Sequence, residues 1–199
     1  MKKWSVFLLG ALLLLTACSP KEKKEISYDS AQSQQAVDEA KSSQVESEPA
    51  LGEFSTQDLE GNEITSEIFS DYDLTMVNIW TTYCGVCLSE LPELGKLNED
   101  YQDKNFQVVG IVMDVFNKDG TYSEEQIEVA KYAAEETGAT YAHLLPSQEM
   151  IDAKLSQVTG VPETIFVDKQ GNQVGKIYLG ARSSDDWKKI IDSLLAEVE

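Results

Sequence analysis

The feature that most constrains how this 199-residue chain can fold is Trp80-Thr81-Thr82-Tyr83-Cys84-Gly85-Val86-Cys87, which lies between two segments of different period. Before it, Leu74-Thr75-Met76-Val77-Asn78-Ile79-Trp80 is short, β-branched and aromatic, the pattern of a buried strand. After it, Leu88, Leu91, Leu94 and Leu97 recur at helical spacing. The two cysteines therefore stand where a strand ends and a helix begins. Unpaired backbone N–H groups and the positive end of the helix dipole favour a thiolate there, which is the form in which a thiol acts as a nucleophile.

The start of the chain reads as an address. Lys2-Lys3 form a basic region, Val6 to Leu15 an apolar one, and Leu15-Thr16-Ala17 a small-residue cleavage site, so residues 1–17 are read as a secretory signal. Leu15-Thr16-Ala17-Cys18 resembles the lipobox of bacterial lipoproteins, in which the cysteine is lipidated and becomes the mature N-terminus; the other reading is an ordinary signal with an incidental cysteine. Two or more acyl chains are needed for stable attachment, each buried CH₂ contributing about 0.8 kcal/mol. Lipidation of Cys18 leaves Cys84 and Cys87 as the only thiols of a three-cysteine chain, so no structural disulfide framework is available and the pair is free to cycle. A zinc site needs two further ligands, and only His143 is at hand, so no metal is expected.

Residues 18–50 contain Lys21-Glu22-Lys23-Lys24-Glu25, then Ser, Gln, Ala and Glu with few large apolar side chains, and read as a flexible tether. As a coil it reaches roughly 30 Å on r.m.s. average. The net charge of −19 argues against nucleic acid, which requires clustered Lys and Arg, and against adsorption of the domain to anionic lipid.

Residues 51–199 read as one folded domain. Glu53 to Leu59 and Glu63 to Thr65 flank Glu60-Gly61-Asn62 as a hairpin, and the helix from about Cys84 to Tyr101 is expected to bend at Pro92. Phe106 to Asp114 is apolar on both faces and reads as an interior parallel strand. Glu124 to Thr137 is helical with Gly138 as its C-cap, Thr140 to Leu145 is a short strand and Gln148 to Gln157 a short helix. Glu163 to Val167 and Gln173 to Tyr178 form a second hairpin around Asp168-Lys169-Gln170-Gly171-Asn172. In the last helix Trp187, Ile190, Ile191, Leu194, Leu195 and Val198 repeat at helical spacing, behind Ser183 or Ser184 as cap. Strands alternating with helices, closed by a hairpin and a helix, point to an α/β layer sandwich with a mixed sheet.

Two cysteines two residues apart at a helix tip divide the labour of exchange. Cys84 is expected to be the exposed nucleophile, with a pKa lowered into the range of about 3.5–7.5, and Cys87 the buried resolving thiol. Trp80-Thr81-Thr82-Tyr83-Cys84-Gly85-Val86-Cys87 together with Val158-Thr159-Gly160-Val161-Pro162-Glu163-Thr164-Ile165-Phe166-Val167-Asp168 resembles the TlpA/ResA/DsbE family of membrane-tethered, thioredoxin-like thiol–disulfide oxidoreductases, over about Leu51 to Val198. The resemblance implies a three-layer sandwich, a mixed β-sheet flanked by helices, with an N-terminal hairpin and a central insert. It makes Pro162 a cis-proline facing the cysteines, and Val161 a backbone wall along which a peptide adds as a strand.

By the same resemblance Glu90, one turn after Cys87, is an acid that handles protons, with a pKa raised by its half-buried cleft; the alternative is a solvated helix-face charge. Asn78 stands where thioredoxin has its buried acid. Trp80 and Tyr83 are expected to pack around the site and frame the substrate, and His143 to be a surface or satisfied core residue. The resemblance further implies an extracytoplasmic, lipid-anchored monomer without cofactor, acting on protein thiols and disulfides. As a reductant it draws electrons from a CcdA/DsbD-type membrane protein and serves apocytochrome c or methionine sulfoxide reductase. Alternatives are an oxidant that forms disulfides in secreted proteins, and a redox-inert binding lipoprotein.

Overall fold

The computed structural model describes residues 49–198; the expected signal peptide, the lipidation site at Cys18 and all but the last two tether residues lie outside them. Those two, Pro49 and Ala50, join the fold, the Ala50 N–H donating to the Gly171 carbonyl at 2.7 Å. Among the described residues no helix is long and apolar enough to cross a membrane.

Strands β1 (Ser55–Gln57) and β2 (Glu63–Thr65) pair antiparallel around a turn in which Gly61 takes a φ of +83°, as expected of this hairpin. A 3-10 turn, Ser66–Phe69, leads into β3 (Leu74–Trp80), every residue of which is buried. Helix α1 (Gly85–Asp100) follows; Pro92 deprives it of one hydrogen-bond donor, yet the helix is a single element across that position. Next come β4 (Phe106–Val112), α2 (Glu124–Thr137), β5 (His143–Leu144), α3 (Gln148–Ala153), β6 (Glu163–Val167), β7 (Gln173–Leu179) and α4 (Ser184–Val198).

The main sheet has the order β5-β4-β3-β6-β7, with β3, β4 and β5 parallel and β6 and β7 antiparallel to their neighbours. It is the mixed sheet, flanked by helices, that the sequence leads one to expect. Because strand side chains alternate, Met76 and Trp80 of β3 face a core closed by α1, α2 and α4, whereas Val77 and Ile79 face one closed by α3 and the 3-10 turns. Gly95 lets α1 approach the end of α2, since a Cβ there would stand 2.5 Å from the Gly138 carbonyl oxygen.

Two expectations shift in detail and one alternative is decided. The strand expected over Thr140 to Leu145 shrinks to His143–Leu144, because β5 pairs with β4 over two residues only. The helix expected over Gln148 to Gln157 divides at Lys154, whose φ of −141° breaks the α geometry before a 3-10 turn at Leu155–Gln157. Ser183, not Ser184, caps α4, accepting from the Asp186 N–H at 3.3 Å.

Candidate active site

Strands β3 and β4 end side by side, and β6 begins at the same edge, with Ile79 opposite Glu163. The crevice outside the carboxyl ends of parallel strands is where open α/β sheets hold their ligands, and the Cys84 and Val161 loops meet there.

Cys84 and Cys87 are joined as a disulfide. Cys84 is the N-cap of α1: its Sγ accepts from the Cys87 backbone N–H at 3.1 Å, so a sulfur atom takes the place of the usual capping oxygen. Cys84 is half-buried and Cys87 buried. The Val161 carbonyl oxygen lies 3.7 Å from Cys84 Sγ, and the Val161–Pro162 peptide is cis. The Pro162 carbonyl accepts from the Gly180 N–H at 2.8 Å, which ties the opposite wall of the crevice to the end of β7.

Trp80 packs, as expected, but wholly inside the core, and Tyr83 departs from the expectation of packing. Trp80 has no exposed surface, so it cannot touch a substrate; β3 carries it into the core, where its indole N–H donates to Nδ1 of His143 at 3.1 Å. Tyr83 does not pack, because it lies in the loop beyond the end of β3, and it stands 79% exposed beside the disulfide with Val86 at 56%. His143 is a satisfied core residue, its second ring nitrogen bonding the Ala139 carbonyl at 2.9 Å.

Glu90 is buried rather than on a solvated face. Its Oε1 accepts from the backbone N–H of Arg182 and from Trp187 Nε1, both at 2.8 Å. Burial lifts its carboxyl above the usual carboxylate range, against the pull of those two donors, the Arg182 charge and the Asn78 amide.

Asp114, Arg182 and Trp187 escaped the sequence reading. Asp114 follows β4, and its two carboxylate oxygens accept from the Thr82 N–H at 3.0 Å each while one also accepts from the Thr82 hydroxyl, fixing the approach to Cys84. The signal for it was a carboxylate directly after an apolar parallel strand. Trp187 is legible as a core residue of α4 but not as a donor, and for Arg182, which acts through its backbone, no signal exists.

The model of the AhpC/TSA family matches residues 48–174. A thiol:disulfide interchange protein of the thioredoxin family from Chlorobium tepidum TLS superposes with a TM-score of 0.61 at 25% identity, over 75% of this chain and 97% of that one. The MTB dsbF structure does so at 0.58 and 20%, over 74% and 98%. The resemblance drawn from the two sequence motifs is thus borne out in fold and family. A "Probable phospholipid hydroperoxide glutathione peroxidase" from Mesembryanthemum crystallinum is 31% identical over 78 residues, 39% of this chain and 45% of that protein. The chain spans under half the length of the curated relatives it matches.

Proposed function

The chain belongs to the AhpC/TSA family, and on that premise we propose that it is a thiol–disulfide oxidoreductase acting on protein disulfides and thiols through Cys84 and Cys87. One observation carries the reading: a disulfide at a helix N-terminus with the Val161 carbonyl 3.7 Å from the outer sulfur.

The reaction runs in two displacements. The Cys84 thiolate, favoured by the Cys87 N–H and the dipole of α1, attacks a substrate disulfide; a mixed disulfide forms and one substrate sulfur leaves as thiolate. Cys87 then gives its proton to the Glu90 carboxylate and attacks Cys84 Sγ. The intramolecular disulfide closes and the second substrate thiolate departs. Two electrons have passed from the pair to the substrate, and the proton left on Glu90 returns to solvent. Val161 holds the substrate backbone as an added strand against Pro162, with little demand on its side chains. Tyr83 and Val86 supply an apolar rim at the Cys84 end.

In this reading the protein works outside the cytoplasm as a monomer, held to the membrane by acyl chains on Cys18 after removal of residues 1–17, with residues 18–50 as tether. It is a reductant fed by a CcdA/DsbD-type membrane protein and serves cytochrome c maturation or methionine sulfoxide reductase.

Cys87→Ser removes the resolving thiol and is expected to trap mixed disulfides between Cys84 and the natural substrates, which can then be identified; Cys84→Ser is expected to abolish exchange. A chain whose Cys84→Ser form exchanges as before is not an oxidoreductase. The equilibrium potential against glutathione fixes the direction, within a span of about −270 to −120 mV for such proteins, and a value at the oxidising end overturns the reductant role.

A further inference from the structure

The two oxygens of the Glu90 carboxylate are not equivalent. Oε1 accepts two N–H bonds at 2.8 Å, from the Arg182 backbone and from Trp187 Nε1, whereas Oε2 is buried and has no partner among the described residues. We infer that Oε2 is the atom that takes the proton of Cys87, and that Trp187 is the positioning residue that keeps it available by occupying Oε1. The inference rests on the exchange reaction proposed above.

A carboxylate oxygen has two lone-pair sites, and both of those on Oε1 are taken. A proton arriving there displaces a donor and leaves a buried N–H unpaired, the costly outcome for a polar group away from water. A proton arriving on Oε2 displaces neither of these two donors. The donor cannot follow a rotating carboxylate, because Trp187 is fully buried in a cage of rings: Phe166 at 6.1 Å, Tyr178 at 5.6 Å and the Arg182 guanidinium 5.1 Å from its own ring. Arg182 thus acts twice, through its backbone on Glu90 and through its side chain on the ring that holds Glu90.

Four residues from other parts of the chain bring polar groups to Glu90, which shares α1 with Cys87. Cys87 lies one turn earlier on α1, Asn78 comes from β3, where its amide also donates to Thr164 at 3.1 Å, and Trp187 comes from α4. Arg182 precedes α4 and is the cation of the set. Tyr141 precedes β5; its buried hydroxyl also lacks a partner, and the Glu90 charge helps to raise its pKa. Burial raises the Glu90 pKa while the Trp187 N–H opposes the rise, so removing that N–H moves the carboxyl further up.

The test compares the full chain with Trp187→Phe, Glu90→Gln and the double variant, reading the pH dependence of exchange with a protein disulfide. Exchange rises as Glu90 ionises; Trp187→Phe is expected to move that acid limb to higher pH by about one unit, a tenfold rate loss on the limb, and to shift nothing in the Glu90→Gln background. An equal shift in both backgrounds, or none in either, overturns the role of Trp187. The unsubstituted chain gives a second measurement that does not depend on turnover or on a folded variant. In its oxidised form the Trp187 indole N–H resonance should titrate with the Glu90 midpoint and become independent of pH in Glu90→Gln; an indole resonance that ignores Glu90 overturns the inference. Failure of the underlying reading looks different: exchange that survives Cys84→Ser, or an acid limb untouched by Glu90→Gln.

Discussion

The indole N–H of Trp80 donates to Nδ1 of His143 at 3.1 Å while the other imidazole nitrogen bonds the Ala139 carbonyl at 2.9 Å, so the buried ring is held as the neutral tautomer protonated at Nε2. Burial lowers the His143 pKa to about 4, from an ordinary value near 6.5. A depressed folded-state pKa means that the unfolded chain binds the proton first. This contribution to stability is therefore full above about pH 6.5 and is lost as pH falls through about 4, a change of about 3 kcal/mol in all. His143→Gln should flatten the pH dependence of urea unfolding between those limits.

Gly110 makes room for that ring. A Cβ on Gly110 would lie 2.2 Å from His143 Nδ1, the atom that Trp80 bonds. Gly110→Ala must displace the imidazole, and a loss of about 1–3 kcal/mol is expected from overpacking, with a further loss where the Trp80 bond breaks. The midpoint of urea unfolding at unchanged m-value measures it.

Asp114 is held to Thr82 by the backbone N–H and the hydroxyl together. Asp114→Ala leaves those donors without their charged acceptor, an effect of about 1.5–3 kcal/mol per bond at most and less where water enters. The expected signature is local: faster hydrogen exchange at the amides of Thr82 to Cys84, with the protection of β3 retained.

Lys154 and Glu163 form an ion pair with side chains only 9% and 6% exposed, directly behind Pro162. Lys154→Met strands a buried carboxylate and should cost about 3–5 kcal/mol, whereas Lys154→Met with Glu163→Met should recover most of that loss, since replacing both partners by apolar groups is often neutral. A double-mutant cycle by thermal unfolding decides, and additive losses would show that the pair is not coupled.

Glu90 has its pKa raised by burial, so the folded state favours its protonated form. The sign is opposite to that of His143: this stabilising preference is present at low pH and lost as pH rises through the folded-state pKa. Glu90→Gln should therefore gain stability relative to the parent at pH 8 and show a smaller difference at pH 4, measured by urea unfolding of the oxidised protein.

Periodicity carried most of the architecture because the elements bury regular stripes. The all-buried run of β3, the leucines of α1 and the apolar stripe of α4 each announce one element, and Gly61, Gly138 and Gly171 mark turns or caps that need positive φ. Periodicity says little about elements as short as β5, whose extent is set by its neighbour β4.

The sequence by itself determined that two cysteines stand at a strand-to-helix junction, one helical turn from an acid, because strand, helix and spacing are all local. Only the tertiary structure decided what surrounds them. Trp80 went to the core because helices cover both faces of β3, Tyr83 went to solvent because it lies beyond the end of that strand, and Asp114 reached Thr82 from 32 residues away. Trp187 and Arg182 reached Glu90 across more than ninety residues. Contacts between positions so far apart depend on how the sheet and helices pack, and a buried carboxylate takes its chemistry from those contacts rather than from its neighbours in the chain.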